Sequence, residues 1–350
     1  MGVFVCGRCD AVLTRPVERV ALPVRARQTY GHDLLPALME SGTYAVDPEP
    51  SGPPWRPWRE IGAEEAAARG VFAPVTALSF GEPGAVVVAP GDTRGTVLIP
   101  ERCDGYCIGL DGRSGPNLAC AHCGSAVATR VDDCSYWQAV WFVPDAVRRV
   151  PGEGPEQGVA DWAALAREYQ GAAPIESNGG WSARWEAAVG AALAHLLAVS
   201  AGARVALPDG VMADTFGRAL DMLFPPGPTR KRAVLAGPGL PPAAADIAVV
   251  PRHPRTGEVW QPPGTAAAVP LEADVWLSMA LPRVQLPVPV TGGMPEGVFR
   301  DDPLPPYPLR LFTPDRWVFL DTLARLPAVR EPWLREIHDR FLDHPYGSPF

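Results

Sequence analysis

Two CxxC pairs set the strongest constraint on this chain. Cys6 and Cys9 form one near the N-terminus, and the other, Cys120 with Cys123, lies inside CDGYCIGLDGRSGPNLACAHCGSAVATRVDDC, a stretch that also carries Cys103, Cys107 and Cys134. A CxxC segment folds as a tight turn that aims both sulfurs at one point, and two such turns complete a tetrahedron around one zinc ion. All seven cysteines are therefore candidate metal ligands.

Two assignments compete. In the first, Cys6, Cys9, Cys120 and Cys123 share an ion across a long insertion, leaving Cys103, Cys107 and Cys134 for a second site with a non-cysteine ligand drawn from His32, His122, Asp132 or Asp133. In the second, Cys103, Cys107, Cys120 and Cys123 form a local site and leave Cys6, Cys9 and Cys134. The first is favoured because the two knuckles, VCGRCDAVLTRPV and ACAHCGSAVATRV, look alike. Each sets CxxC before a small or turn residue and a short β-type run. Both segments resemble the halves of a zinc ribbon, in which a knuckle feeds a hairpin; the resemblance covers about a dozen residues at each place and implies structural zinc without implying an activity. Gly124 follows the second knuckle as in that pattern, whereas Asp10 stands at the equivalent place in the first.

The rest of the chain reads as α+β, with a β-rich zinc-binding N-terminal domain (1–147), a linker (148–160) and a mixed α/β C-terminal domain (161–350) that ends in a helix pair. At 350 residues two domains are expected. AEEAAARG is a short helix stopped at Gly70, and VTALSF, AVVVAP and GTVLIP read as successive hairpin strands. YWQAVWFVP adds a strand that closes the sheet. RRVPGEGPEQGVA is rich in Gly, Pro and Glu and reads as the linker. Beyond it, Ser182 is positioned to cap a helix with Trp185, Val189, Ala192, Leu193 and Leu196 on one face. RVAL, RAVLAG and DIAVV are short strands, and DTFGRALDMLF is a second helix. Residues 251–310 are broken by proline and read as extended edges and loops. Thr313 with Pro314 opens a helix over DRWVFLDTLARL, and Pro332 opens another that buries Trp333, Leu334, Ile337 and Phe341.

Composition excludes several classes. A net charge of −8, with Lys231 as the single lysine among 31 basic residues, argues against a nucleic-acid binder, which needs a basic stripe to displace counterions. Arginine usage of this kind, with abundant alanine, fits a GC-rich bacterial genome. MGVFVCGRCD lacks a basic segment followed by an apolar core, and Ala187–Val199 is too short to span a bilayer, so a cytoplasmic protein with no membrane partner is expected. In that reducing compartment paired cysteines are metal ligands rather than disulfides.

Other motifs carry less. DGYCIGLDGRSGPN and LAGPGLPP match neither phosphate-binding glycine signature. His338, Asp339, Asp343 and His344 gather near the C-terminus at an awkward spacing for one face, and His195 borders an apolar stripe. The tryptophan pairs 55/58, 137/141 and 181/185 read as core rather than as a ligand platform. Two functions are consistent with the whole: a scaffold or binding protein with structural zinc and a protein or small-molecule partner, or a zinc hydrolase with an open site at Cys103, Cys107 and Cys134.

Overall fold

The computed structural model describes residues 1–24, 34–152, 161–168, 171–176, 179–224, 227–281, 288–289, 299–300 and 308–342. The chain is α+β and forms two compact units, neither continuous in sequence: Met1–Glu60 with Ala77–Val159 and Pro289–Phe299, and Ile61–Thr76 with Ala160–Val288 and Arg300–Phe350.

The first unit contains β1 (Gly2–Cys6), β2 (Glu18–Arg19), β3 (Thr43–Asp47), β4 (Trp55–Pro57), β5 (Ala77–Ser79), β6 (Ala85–Val88), β7 (Thr96–Leu98), β8 (Leu118–Cys120), β9 (Ala126–Val131), β10 (Ala139–Phe142) and β11 (Val147–Pro151). Seven of these form one sheet in the order β2-β3-β6-β10-β9-β8-β7. AVVV of β6 and AVWF of β10 are buried at every position, so they suit the middle of the sheet rather than an edge. β10 therefore sits at the centre instead of closing the sheet. The three runs read as successive hairpin strands are not paired with one another: β5 pairs with β4, β6 with β3 and β10, and β7 with β8.

β1 pairs antiparallel with β11, from Gly2 opposite Pro151 to Cys6 opposite Val147. The segment read as a linker thus opens as a strand, because the backbone groups of β1 need a partner on that side; residues 153–160 lie outside the described residues. Phe4, Cys6, Leu13, Val17, Tyr44, Val86, Val88, Leu118, Cys120, Val127, Val140 and Phe142 form a common core. Two of the candidate ligands, Cys6 and Cys120, are thus themselves core residues.

The second unit contains α1 (Ala63–Ala68), α2 (Trp162–Glu168), α3 (Ala183–Ser200), β12 (Val205–Ala206), α4 (Arg218–Leu223), β13 (Lys231–Leu235), β14 (Ile247–Arg252), β15 (Ala267–Glu272), α5 (Ala273–Ala280), α6 (Arg316–Arg325) and α7 (Pro332–Leu342). Gly70, at φ +73°, stops the first turn after α1, and the Phe72 amide then donates to the Ala324 carbonyl of α6 at 2.7 Å. That bond and the Arg330 guanidinium over the Phe72 ring hold this early segment in the second unit.

β12, β13, β14 and β15 lie side by side in chain order, all parallel. β15 and α5 fall where the sequence reads as loops and extended edges. Pro270 obscures the strand, yet β15 is the outer strand of its sheet, where a missing N–H is tolerated. Ser182 takes the N-cap position of α3 without a side-chain capping bond. Asp315 rather than Thr313 caps α6, accepting from the Val318 amide at 2.8 Å. In α7, Leu334, Ile337, His338 and Phe341 are buried while Trp333 is half-buried, so the inward face includes the histidine.

Candidate metal centre

Cys6, Cys9, Cys120 and Cys123 converge, with all four sulfurs within 4.8 Å of one another. The convergence is built from two knuckles with the same backbone pattern. In the first, the Cys6 amide donates to the Ala11 carbonyl at 2.8 Å and the Asp10 amide donates back to the Cys6 carbonyl at 2.9 Å. In the second, the Cys120 amide donates to Ser125 at 2.8 Å and the Gly124 amide to Cys120 at 2.9 Å.

Both turns require a left-handed residue four positions after the first cysteine: Asp10 at φ +58° and Gly124 at φ +73°. Aspartate is among the few non-glycine residues that enter this region readily, which explains how Asp10 replaces the usual glycine. Its carboxylate also accepts from Arg148 at 2.7 Å, an exposed pair worth little to stability. Gly124→Ala is expected to cost about 1 kcal/mol while leaving metal content unchanged, and Asp10→Gly less than about 0.5 kcal/mol, as read from denaturant midpoints. Equal sensitivity at the two positions, or metal loss from either variant, would contradict the turn equivalence.

The sulfurs pair across the knuckles, Cys6 with Cys123 and Cys9 with Cys120, each at 3.7 Å. A disulfide needs about 2.05 Å, and no disulfide joins any of the seven cysteines. A tetrahedron with thiolates about 2.3 Å from its centre has edges of about 3.8 Å, so the observed spacing fits a metal ion at the centre. The two knuckles thus bring two sulfurs each to one place, across 111 residues for Cys9 and Cys120.

Electrostatics around the sulfurs are uneven. The Ala11 amide favours the Cys9 thiolate, but burial and the neighbouring sulfurs of Cys123, Cys120 and Cys6 outweigh it and push that thiol up to about 12. The Ser125 hydroxyl and amide beside Cys123 pull its thiol down to about 6. Four thiols this close cannot ionise together without a cation, and a metal ion at their centre would allow all four to be thiolates. Ser125, whose carbonyl accepts from the Cys120 amide and whose hydroxyl lies 3.4 Å from the Cys123 sulfur, was not among the sequence candidates; its place directly after CxxCG was the available signal.

The remaining cysteines do not gather as a trio. Cys107 and Cys134 lie with Asp133, their sulfurs 3.1 Å apart. Cys103 belongs to neither cluster, its thiol donating to the Ile99 carbonyl at 3.3 Å. The open three-cysteine site is thus not assembled: the short helical turn at 100–102 holds Cys103 against its own preceding residues. The local assignment of Cys103 and Cys107 with Cys120 and Cys123 is likewise not the arrangement found. The Cys107 sulfur and Asp133 push the Cys134 thiol up to about 11, with burial contributing.

Of the proposed fourth ligands, Asp133 is beside the pair, Asp132 instead pairs with Arg130 at 2.7 Å, and His122 is exposed on its knuckle. His32 lies outside the described residues, as do Asp343 and His344. His338 is fully buried with its Nδ1 3.1 Å from Asp339, and burial lowers its pKa, as it does for His195. Trp137, Trp141 and Trp185 are buried core residues. LAGPGLPP has a packing explanation: a side chain on Gly237 would meet the Trp276 ring at 2.3 Å. No helix among the described residues is long and apolar enough to cross a membrane. Comparison with protein-family profiles, characterised proteins and solved structures finds no match to this chain.

Proposed function

We propose that the chain is a zinc-binding scaffold or binding protein in which one structural zinc ion is held by Cys6, Cys9, Cys120 and Cys123. The observation that carries this reading is the pair of 3.7 Å sulfur separations across the knuckles, which match the edge of a closed four-thiolate tetrahedron. Four thiolates form a soft, tetrahedral donor set of the kind zinc favours in structural sites, and they leave no position for water or substrate. A hydrolytic zinc needs such a position. Cys6 and Cys120 are fully buried, which further removes the centre from substrate.

The binding role is supported by surface rather than by the metal. Val97, Leu98, Tyr106 and Ile108 are large hydrophobics exposed within one short stretch of the first unit, and this reading assigns them to a protein partner. In the second unit, Phe224, Trp333, Met222, Glu336 and Arg340 line an open surface cleft of 540 Å³. Reduced thiols in this number are at home in the cytoplasm, where the protein is placed on this reading.

Elemental analysis of the purified chain tests the metal assignment, with one equivalent of zinc expected. Cobalt substitution should give a tetrahedral thiolate spectrum that small anions do not change. Iron in place of zinc, no metal, or an anion-sensitive cobalt spectrum would each reject the reading.

A further inference from the structure

The second sulfur pair has a geometry unlike the first. Cys107 and Cys134 approach to 3.1 Å, well inside the 3.7 Å spacings of the four-cysteine centre and too close for two corners of a regular thiolate tetrahedron. Asp133, beside the pair, is already engaged by the backbone. One of its oxygens accepts from the Ile108 and Gly109 amides, each at 3.2 Å, and the other from the Cys134 amide at 2.7 Å.

That carboxylate therefore fastens the loop of Cys107 to the turn of Cys134. The loop is further fixed internally by the Gly109 amide donating to Tyr106 at 2.8 Å and by the Asp111 carboxylate accepting from the Tyr106 amide at 3.2 Å. Two sulfurs are thus held in near contact by bonds that do not involve them, which gives each a high effective concentration toward the other. Cys107 is exposed and Cys134 half-buried, so an oxidant meets Cys107 first.

We propose that Cys107 and Cys134 are a redox-active dithiol that closes to an intrachain disulfide when the protein meets hydrogen peroxide. The Cys107 thiolate attacks one peroxide oxygen, the O–O bond breaks and hydroxide leaves, giving Cys107 sulfenic acid. The Cys134 sulfur then attacks the Cys107 sulfur, the S–O bond breaks, water leaves and the S–S bond forms. Two electrons pass from the two thiols to one hydrogen peroxide, which ends as two waters, the hydroxide taking the proton that the Cys107 thiol gave up. The product is a covalent tie between loop and turn where the Asp133 hydrogen bonds now act.

The test treats the full chain, loaded with zinc, with stoichiometric hydrogen peroxide and reads mass, disulfide-linked peptides and zinc release. Expected are a mass lower by about two units, a crosslink joining Cys107 to Cys134, and zinc retained. Cys103→Ser should behave like the parent chain. Cys134→Ser should stop at the sulfenic acid, trapped by a dimedone-type reagent at Cys107. A crosslink through Cys103, zinc loss before any Cys107–Cys134 bond forms, or both thiols staying reduced at that dose would overturn the proposal. So would a second zinc equivalent in the untreated chain that disappears in Cys107→Ser.

Discussion

On the proposed zinc reading, chelation is expected to unfold the first unit. Its sheet is wide but made of short strands, several of two to four residues, and two of the four clustered cysteines stand inside its core. Metal-binding free energies for thiolate sites of this kind are on the order of 10 kcal/mol, as large as the whole stability of an ordinary domain. Removal also leaves four thiols buried or half-buried at contact distances around an empty centre. Cys6→Ser or Cys120→Ser should release the ion and destabilise both knuckles together, although one lies 111 residues from the other. Hydrogen exchange is the suitable probe: after chelation the amides of β1, β8 and β9 should lose protection while those of β13, β14 and α3 keep it. Unchanged exchange after verified metal loss would show that the sheet stands without it.

The parts of this molecule legible from sequence are those fixed within a few residues. Each knuckle is a five- to six-residue device, with CxxC, a left-handed residue and a returning strand, so both could be read and matched with each other. The same holds for the Gly70 stop and for Pro332 at the start of α7. Neighbour relations were harder. β6 and β10 are adjacent in the sheet yet separated by fifty residues of sequence, and nothing in AVVV names its partner; burial on both faces shows only that it has two. Pro270 hid β15, because a proline weighs against a strand unless the strand is known to be an edge. Cys103 illustrates the limit on sites. Its spacing from Cys107 resembled a ligand pair, but the helical turn before it directs the sulfur to Ile99, and that is a matter of local backbone conformation that cysteine spacing does not encode.

The second large effect is expected at Trp276, in the part of the second unit that sequence did not reveal. Its ring is fully buried, and its indole N–H donates to the Val249 carbonyl of β14 at 3.3 Å. The ring also covers Gly237, just beyond the end of β13. One side chain on α5 thus fixes the helix against the strand next to its own sheet neighbour and shapes the loop between β13 and β14. Trp276→Ala should cost about 3–5 kcal/mol, the usual range for emptying a buried aromatic site, with the carbonyl of Val249 losing a partner as well. Gly237→Ala places a methyl group where the ring now lies and should cost about 1–3 kcal/mol through overpacking. The two changes are not independent. With the ring gone, the added methyl still meets Pro251 Cδ at 2.9 Å, so Gly237→Ala should cost less in the Trp276→Ala background than in the parent chain without becoming neutral. A double-mutant cycle by denaturant unfolding measures this coupling directly. Additive losses would mean that Gly237 is required for its backbone rather than for the space it leaves to Trp276.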